Sequence, residues 1–273
     1  MITDFEENPY CISIVDTAGG HEKRDGRIAA KILATSLLRN LPLGDIHVVR
    51  AQAEQPLFRV GREGLFEEWL EEGGGEKTAP WMGQPFIDGS AYSWVFFMGE
   101  GSIALREIDH LLDVDADVLW APMQGVPLRT ERCWGYVTDA EMEEEYRAEL
   151  PWSRPWREAA SAGIWAVRGE HYDTVIQNWK EIAATSPARH CGNRIESAWN
   201  RLLVDTPLKV KRFEKGEIAF PTLQGADYAD YSESAILHTG DWQRKLSSKF
   251  LQAQFFGTYF GDESGLFLDL MEP

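Results

Sequence analysis

"LLDVDADVLWAP", residues 111–122, sets Asp113, Asp115 and Asp117 on alternate positions, with only Val114 and Ala116 between them. Carboxylates drawn out of water must meet a cation, a hydrogen-bond donor or a proton. A calcium loop of EF-hand type opens D-x-D-x-D but needs Gly at its sixth position and Glu at its twelfth. Counted from Asp113, those positions hold Val118 and Gln124, so that reading fails. A second reading leaves the acids at a strand end, solvated or capping a neighbouring group, the common fate of so short a motif. In a third, two carboxylates separated by one small residue present oxygens to one hard cation, which completes its shell from phosphate and water. The apolar approach "HLLDV" and exit "VLWAP" place the acids at the mouth of a buried strand. In open α/β sheets the carboxyl ends of strands are where ligands sit.

Outward from that stretch the chain alternates strand and helix signals. "YCISIV" (Tyr10–Val15) is continuous and β-branched, the pattern of a strand buried on both faces. The polar loop "DTAGGHEKRDG" follows, and Asp25 can cap a helix running to Leu41, ended by Pro42 and Gly44. Leu33, Leu37, Leu38 and Leu41 share one face of it, and Ile28 and Ile32 another. "DIHVVRA" is the next strand, completing a βαβ opening. Residues 61–72 read as a short helix, and Glu71–Lys77 as a loop. Arg106–Ile108 read as the end of a helix leading into a strand over His110–Val114, and Asp139–Leu150 as an acidic, solvated helix. "SAGIWAVR" (Ser161–Arg168) is a second strand buried on both faces; helices follow through Tyr172, Val175, Ile176, Trp179 and Ile182 and over "NRIESAWNRLL". "SAILHTG" (Ser234–Gly240) is a late strand ending in a turn. The expectation is an α/β fold in one domain over 1–273, with an irregular insertion rich in Trp and Pro over 122–158.

The totals narrow the function. The 273 residues are enough to bury a sizeable core, and the composition, 44% hydrophobic and 26% charged, is that of a globular protein. A net charge of -17 argues against a nucleic-acid binder, which needs a positive field, and against anionic membrane surfaces. It leaves room for a nucleotide, since one bound metal inverts the local field. No apolar run reaches the ~20 residues of a membrane span, and "MITDFEENPY" lacks the basic and apolar regions of a signal peptide. Cys11, Cys133 and Cys191 are far apart and form no CxxC, so neither a zinc site nor a disulfide framework is expected and a cytoplasmic location fits. Cys11 reads as a small buried hydrophobe.

"IDHLLDVDADVLWAP" resembles the metal-binding segment of GT-A fold nucleotide-sugar glycosyltransferases, nearest the glycogenin and galactinol synthase group. The register that fits pairs Asp115 with Asp117 and leaves Asp113 where the family is aromatic or apolar; a shifted register would pair Asp113 with Asp115. "AAKILATSLLRNLPLGDIHVVRA" resembles the family's first helix and second strand, and "SAGIWAVRGEHYDTVIQNW" its small-residue strand beside the sugars. "ESAWNRLL" resembles the later Asp-Gln-x-Ala-Leu-Asn helix, with Asn200 at the matching Asn, Ile195 in place of Asp and Glu196 in place of Gln. "ILHTGDWQRKL" resembles the C-terminal His-x-x-Gly-x-x-Lys signature, with Gly240 one residue early and Lys245 one late.

The resemblance implies a Rossmann-like GT-A domain, a central mostly parallel sheet flanked by helices. It implies transfer of a sugar from a nucleoside diphosphate donor, with UDP expected, to an acceptor hydroxyl with retention of configuration. The acceptor stays open among glycan, lipid-linked sugar, protein and small molecule, as does the oligomeric state. The implied metal ligands are Asp115, Asp117 and His238, a donor set that suits Mn2+ better than Mg2+. Arg244 and Lys245 would grip the departing diphosphate, or simply be two exposed bases starting a helix. Asp16, Arg24 and Lys31 would face the nucleotide, with Ser161, Gly163 and Gly240 lining the pocket. Glu196 would stabilise charge or orient the acceptor, or be a surface glutamate. Trp179 and Trp199 fit helix core stripes, while Trp134, Trp152 and Trp156 are candidates for an acceptor wall. A sugar-phosphate nucleotidyltransferase would carry a Gly-rich G-x-G-T-R-L-x-P loop where this chain has "DTAGGHEKR". A degenerate, non-catalytic sugar-nucleotide-binding module is the other alternative.

Overall fold

In a computed structural model of the chain, the opening apolar run is strand β1, Cys11–Asp16. The structure describes residues 9–16, 23–40, 42–50, 56–61, 64–69, 80–99, 101–127, 158–185, 194–220, 231–239, 257–258 and 260–261. Helix α1, Lys23–Arg39, crosses from β1 to β2, Asp45–Arg50, which pairs parallel to β1. Ala30, Ile32, Leu33 and Leu37 of α1 are buried, and Leu38 lies 38% exposed at the edge of that face.

Residues expected to start a short helix form a hairpin instead. β3, Pro56–Gly61, and β4, Gly64–Trp69, pair antiparallel with Gly61 opposite Gly64. The paired glycines around two polar residues are a turn signal that outweighs the scattered apolar positions.

Strand β5, Trp94–Met98, lies on the other side of β1 and is parallel to it. The chain then turns through Gly99 and Gly101 into β6, Ser102–Ala104. No helix ends at Arg106–Ile108, and no strand covers His110–Val114. Asp109–Leu112 form a single 3-10 turn that buries Leu111 and Leu112. Ile108, Leu111 and Leu112 stand at i, i+3 and i+4, the spacing of one helical turn rather than of a strand.

β7, Val118–Pro127, and β8, Glu158–Arg168, pair antiparallel, and β8 is also antiparallel to β5. Helices α2, Tyr172–Thr185, and α3, Arg194–Asp205, follow, then β9, Val210–Arg212, parallel to β7. The central sheet has the order β4-β3-β2-β1-β5-β8-β7-β9. Only β3 and β8 run against the rest. A second sheet sets β10, Ile218–Ala219, beside β11, Ile236–His238, with β11 antiparallel to β6.

Alternation along the strands builds a core on each face of the central sheet. Ile12, Ile14, Phe96, Met98 and Ile164 pack with α1 and the small sheet. Cys11, Val15, Phe97, Trp165 and Val167 pack with α2 and α3, including Trp179 and Trp199, both fully buried as their helical spacing predicts. Each such fully buried large side chain contributes on the order of 2 kcal/mol. Among the described residues no helix is long and apolar enough to cross a membrane.

Candidate functional site

The strand order fixes where a ligand is expected. From β1 the chain moves to β2 on one side, while β5 occupies the other side, so the order reverses between β1 and β5. Open α/β sheets bind ligands at such a switch point, beyond the carboxyl ends of the strands. Here that end carries the terminus of β1 at Asp16, the turn after β5 at Gly99–Gly101, and His238.

His238 reaches it by strand pairing. Ser102 N donates to Gly99 O at 2.9 Å, turning the chain sharply from β5 into β6. β11 pairs with β6 so that His238 stands opposite Ser102, and Nδ1 lies 2.7 Å from Ser102 Oγ. Thr239 fixes the same turn, donating from N at 2.9 Å and from Oγ1 at 2.8 Å to Gly101 O. The Phe220 ring meets the imidazole edge-on, with centroids 5.5 Å apart. Burial lowers the His238 pKa to about 4, so the ring is neutral at pH 7.

Two glycines complete the clamp. A Cβ at Gly163 would lie 2.6 Å from His238 Nε2, and one at Gly99 would lie 3.1 Å from Cε1. Gly163 belongs to a bulge. Between Trp120 and Pro122 of β7, β8 advances from Trp165 to Ala160, so β8 carries surplus residues there. Ser161 Oγ accepts from Gly163 N at 3.0 Å inside that bulge. Asn200 of α3 anchors the adjacent backbone, accepting from Ala160 N at 2.7 Å and donating to Ala160 O at 2.9 Å. Ser161, Gly163 and His238 are therefore brought together. Glu196, half-buried one helical turn before Asn200, shares this end of the sheet but lies on the face covered by α2 and α3, whereas His238 arrives from the small sheet on the other face.

Asp115 and Asp117 do not join them. Arg168 N donates to Asp117 O at 2.8 Å, and Val118 stands opposite Val167, so the acids precede β7 at the amino end of the sheet. Gly163, beside His238, lies five residues back along β8, roughly 16 Å away at about 3.3 Å per residue. The expectation of one metal held by Asp115, Asp117 and His238 is thus corrected, and the shifted pair Asp113 with Asp115 fails for the same reason. Among the described residues no group of three His, Cys, Asp or Glu side chains could hold a metal ion.

The acids find cations instead. Lys209 Nζ pairs with Asp115, which holds that carboxyl below the usual carboxylate range through this hydrogen bond. Lys209 N donates to Asp117 Oδ2 at 2.8 Å, and His171 Nε2 lies 3.9 Å from Asp117 Oδ1. Arg168 threads the same turn, donating from Nε to Ala116 O and from Nη2 to Val114 O, each at 3.0 Å, with its guanidinium 4.2 Å from the Trp94 ring centroid. Burial pulls the Arg168 pKa down, and Asp117, Glu170, Asp115 and Asp113 push it back up. Capping and charge pairing at a strand end account for "DVDAD".

Asp16, Arg24 and Lys31 are placed only by their backbones, at the end of β1 and within α1. Gly240, Arg244 and Lys245 lie outside the described residues, as do Asp139–Leu150, Trp134, Trp152 and Trp156. Residues the sequence reading passed over are Gly99, Ser102, Thr239 and Phe220. The signal for the first two was "WVFFMGEGS" (94–102), an unbroken apolar run closed by Gly-x-Gly.

No family model matches the sequence, and no curated protein matches it. Solved structures share its architecture. The chain is similar to the apo-form glycosyltransferase GlyE of Streptococcus pneumoniae TIGR4, with a TM-score of 0.52 and 13% identity over 95% of this chain and 62% of that one. It is similar to a glycosyltransferase involved in glycosylation of the major capsid of PBCV-1, with a TM-score of 0.51 and 10% identity over 91% of this chain and 99% of that one. The fold is that of the GT-A glycosyltransferases. The bifunctional glycosyltransferase WbbM shares it at a TM-score of 0.50 and 11% identity, over 85% of this chain and 45% of that one. The chain spans less than two thirds of the length of WbbM and GlyE. In this GT-A fold the clamped imidazole stands at the switch point, and the acidic turn stands at the opposite end.

Proposed function

We propose that the protein is a glycosyltransferase that takes a nucleoside diphosphate sugar, with UDP as the nucleotide, into the crevice beyond the carboxyl ends of β1 and β5. The observation that carries this reading is the delivery of His238, Ser102 and the Ser161–Gly163 bulge to the switch point of a GT-A fold. Glycine at 99 and 163 lets backbone approach a bound group closely, and hydroxyls at Ser161 and Ser102 supply polar contacts without charge. In the transfer, the bond from the anomeric carbon to the diphosphate oxygen breaks, the acceptor oxygen bonds to that carbon, and one proton is released. Water must be kept from the anomeric carbon, or the donor is hydrolysed. Retention follows from the resemblance and is read directly by NMR of the product's anomeric proton.

A thermal-shift screen of nucleotide sugars tests the reading. One UDP-sugar raising Tm in a concentration-dependent way supports it; no shift from any nucleotide sugar at millimolar concentration sinks it. A second reading, a sugar-nucleotide-binding module without transfer, is favoured by one observation: among the described residues no carboxylate set stands beside His238. Release of nucleoside diphosphate from a bound donor separates the two.

A further inference from the structure

We infer that the carboxyl-end site engages its nucleotide with no divalent ion on His238, whose imidazole serves instead as a fixed wall of the pocket positioned by Ser102. The identity of the ligand rests on the function proposed above; the state of His238 does not.

A histidine that binds a metal offers one ring nitrogen to open space shared with other donors, and its second nitrogen is held by a neighbour. Here Nδ1 is held by Ser102 Oγ at 2.7 Å. Nε2 faces the backbone of Gly163 so closely that a single added methyl would lie 2.6 Å from it. The carbon between the nitrogens faces Gly99, where an added methyl would lie 3.1 Å away. The two glycines thus border the ring on the sides of Nε2 and Cε1.

Among the described residues, the neighbours bring the wrong chemistry for a hard cation. Ser102, Ser161 and Thr239 contribute hydroxyls, Gly99 and Gly163 backbone, and Phe220 an aromatic edge. Mg2+ and Mn2+ want carboxylate oxygens. The acids of "DVDAD" that could have supplied them sit at the other end of the sheet, where Lys209 and Arg168 already meet them. Burial keeps the ring uncharged, so it brings no positive charge to a diphosphate either. The sequence assigns that task to Arg24, Lys31, Arg244 and Lys245, whose side chains lie outside the described residues.

The test follows the ring nitrogens of His238 in histidine-labelled protein by 15N NMR, through addition of Zn2+ as a diamagnetic reporter, with and without UDP. The six histidines are assigned by His238→Gln and, should that variant fold poorly, by Ser102→Ala, which removes the partner of Nδ1 and moves the resonances of that ring and not of the other five. In parallel, UDP affinity is measured by calorimetry in EDTA and in Mn2+. The expected result is no shift of the His238 Nε2 resonance on metal addition, and a Kd for UDP that differs by no more than about twofold between the two conditions. A metal-dependent shift of Nε2, or a loss of about tenfold or more in UDP affinity on metal removal, overturns the inference. If UDP and UDP-sugars bind under neither condition, the function proposed above fails, while the response of Nε2 to Zn2+ still decides the state of His238.

Discussion

At the amino end of the sheet, Asp115 meets Lys209 in an exposed turn, and Asp117 takes the Lys209 amide while Arg168 ties the surrounding carbonyls. At the carboxyl end, His238 meets Ser102 in a buried niche floored by two glycines. The first arrangement keeps its charges by leaving them near water and pairing them. The second removes charge, because a buried imidazole with hydroxyl and backbone neighbours stays neutral. Charged motifs thus mark where this chain needs solvation and capping, and small residues mark where backbone packs against the buried imidazole.

The largest expected effect tests how rigid the amino end is. A Cβ at Gly169 would overlap the backbone carbonyl oxygens of Tyr92 and Gly89. Backbone cannot swing aside as a side chain can, so Gly169→Ala is expected to cost about 3 kcal/mol or more. Urea denaturation measures it; a midpoint equal to the parent's would show that the two strand ends are less tightly joined than described. The next effect sharpens the contrast in charge. The folded pKa of His238, about 4, lies below its unfolded value of 6.5. Between those values the unfolded chain binds the proton and the folded chain does not. Stability from this group is complete above the unfolded value and falls by roughly 3 kcal/mol as pH drops to the folded one. His238→Gln cannot titrate, so its stability should decline less than the parent's between pH 7 and pH 4. Parallel slopes would mean that His238 is not the buried neutral group assigned here.

Gly163→Ala probes the clamp itself. Its Cβ meets a side chain rather than backbone, so the expected cost is smaller, about 1–3 kcal/mol. Most of that cost should vanish when His238→Ala is added, since the clash partner is then gone. Additive costs in the double variant would place the strain elsewhere in the bulge.

How far these two ends could be read from the sequence depends on whether the signal was local. β1, β8 and the helices after each were legible because continuous apolar runs and helical spacing state their burial directly. β5 is a shorter run of the same kind, five apolar residues closed by Gly-x-Gly, which periodicity alone does not tell from a buried helix segment. His238 was legible as the polar end of an apolar strand. The acids were legible as a group but not as to end. "DVDAD" has apolar residues on both sides, yet Leu111 and Leu112 belong to a 3-10 turn, and only Val118 onward is a strand. The acids thus precede a strand rather than follow one, and that reversal moves them to the far end of the sheet. The hairpin of β3 and β4 was missed for a related reason: the two glycines that make it become a pair only once the strands face each other.

The smallest effect is the most informative about the motif. If Asp115 and Asp117 only solvate and cap the turn before β7, Asp115→Asn removes an exposed ion pair with Lys209 and little else. Exposed pairs gain little because water screens them and both side chains lose freedom. The Tm of Asp115→Asn should therefore stay within about 2 °C of the parent. Asp117→Asn keeps an oxygen able to accept from Lys209 N, so its fold should survive too. Transfer activity and nucleotide affinity should match the parent in both variants, since roughly 16 Å of β8 separates them from His238. Metal ligands of a transferase behave otherwise: each substitution abolishes metal-dependent turnover while leaving Tm alone. Measuring initial rates for both variants beside His238→Gln decides between the two accounts. Loss of turnover in the aspartate variants would return the metal to the acids and overturn the separation of the two ends.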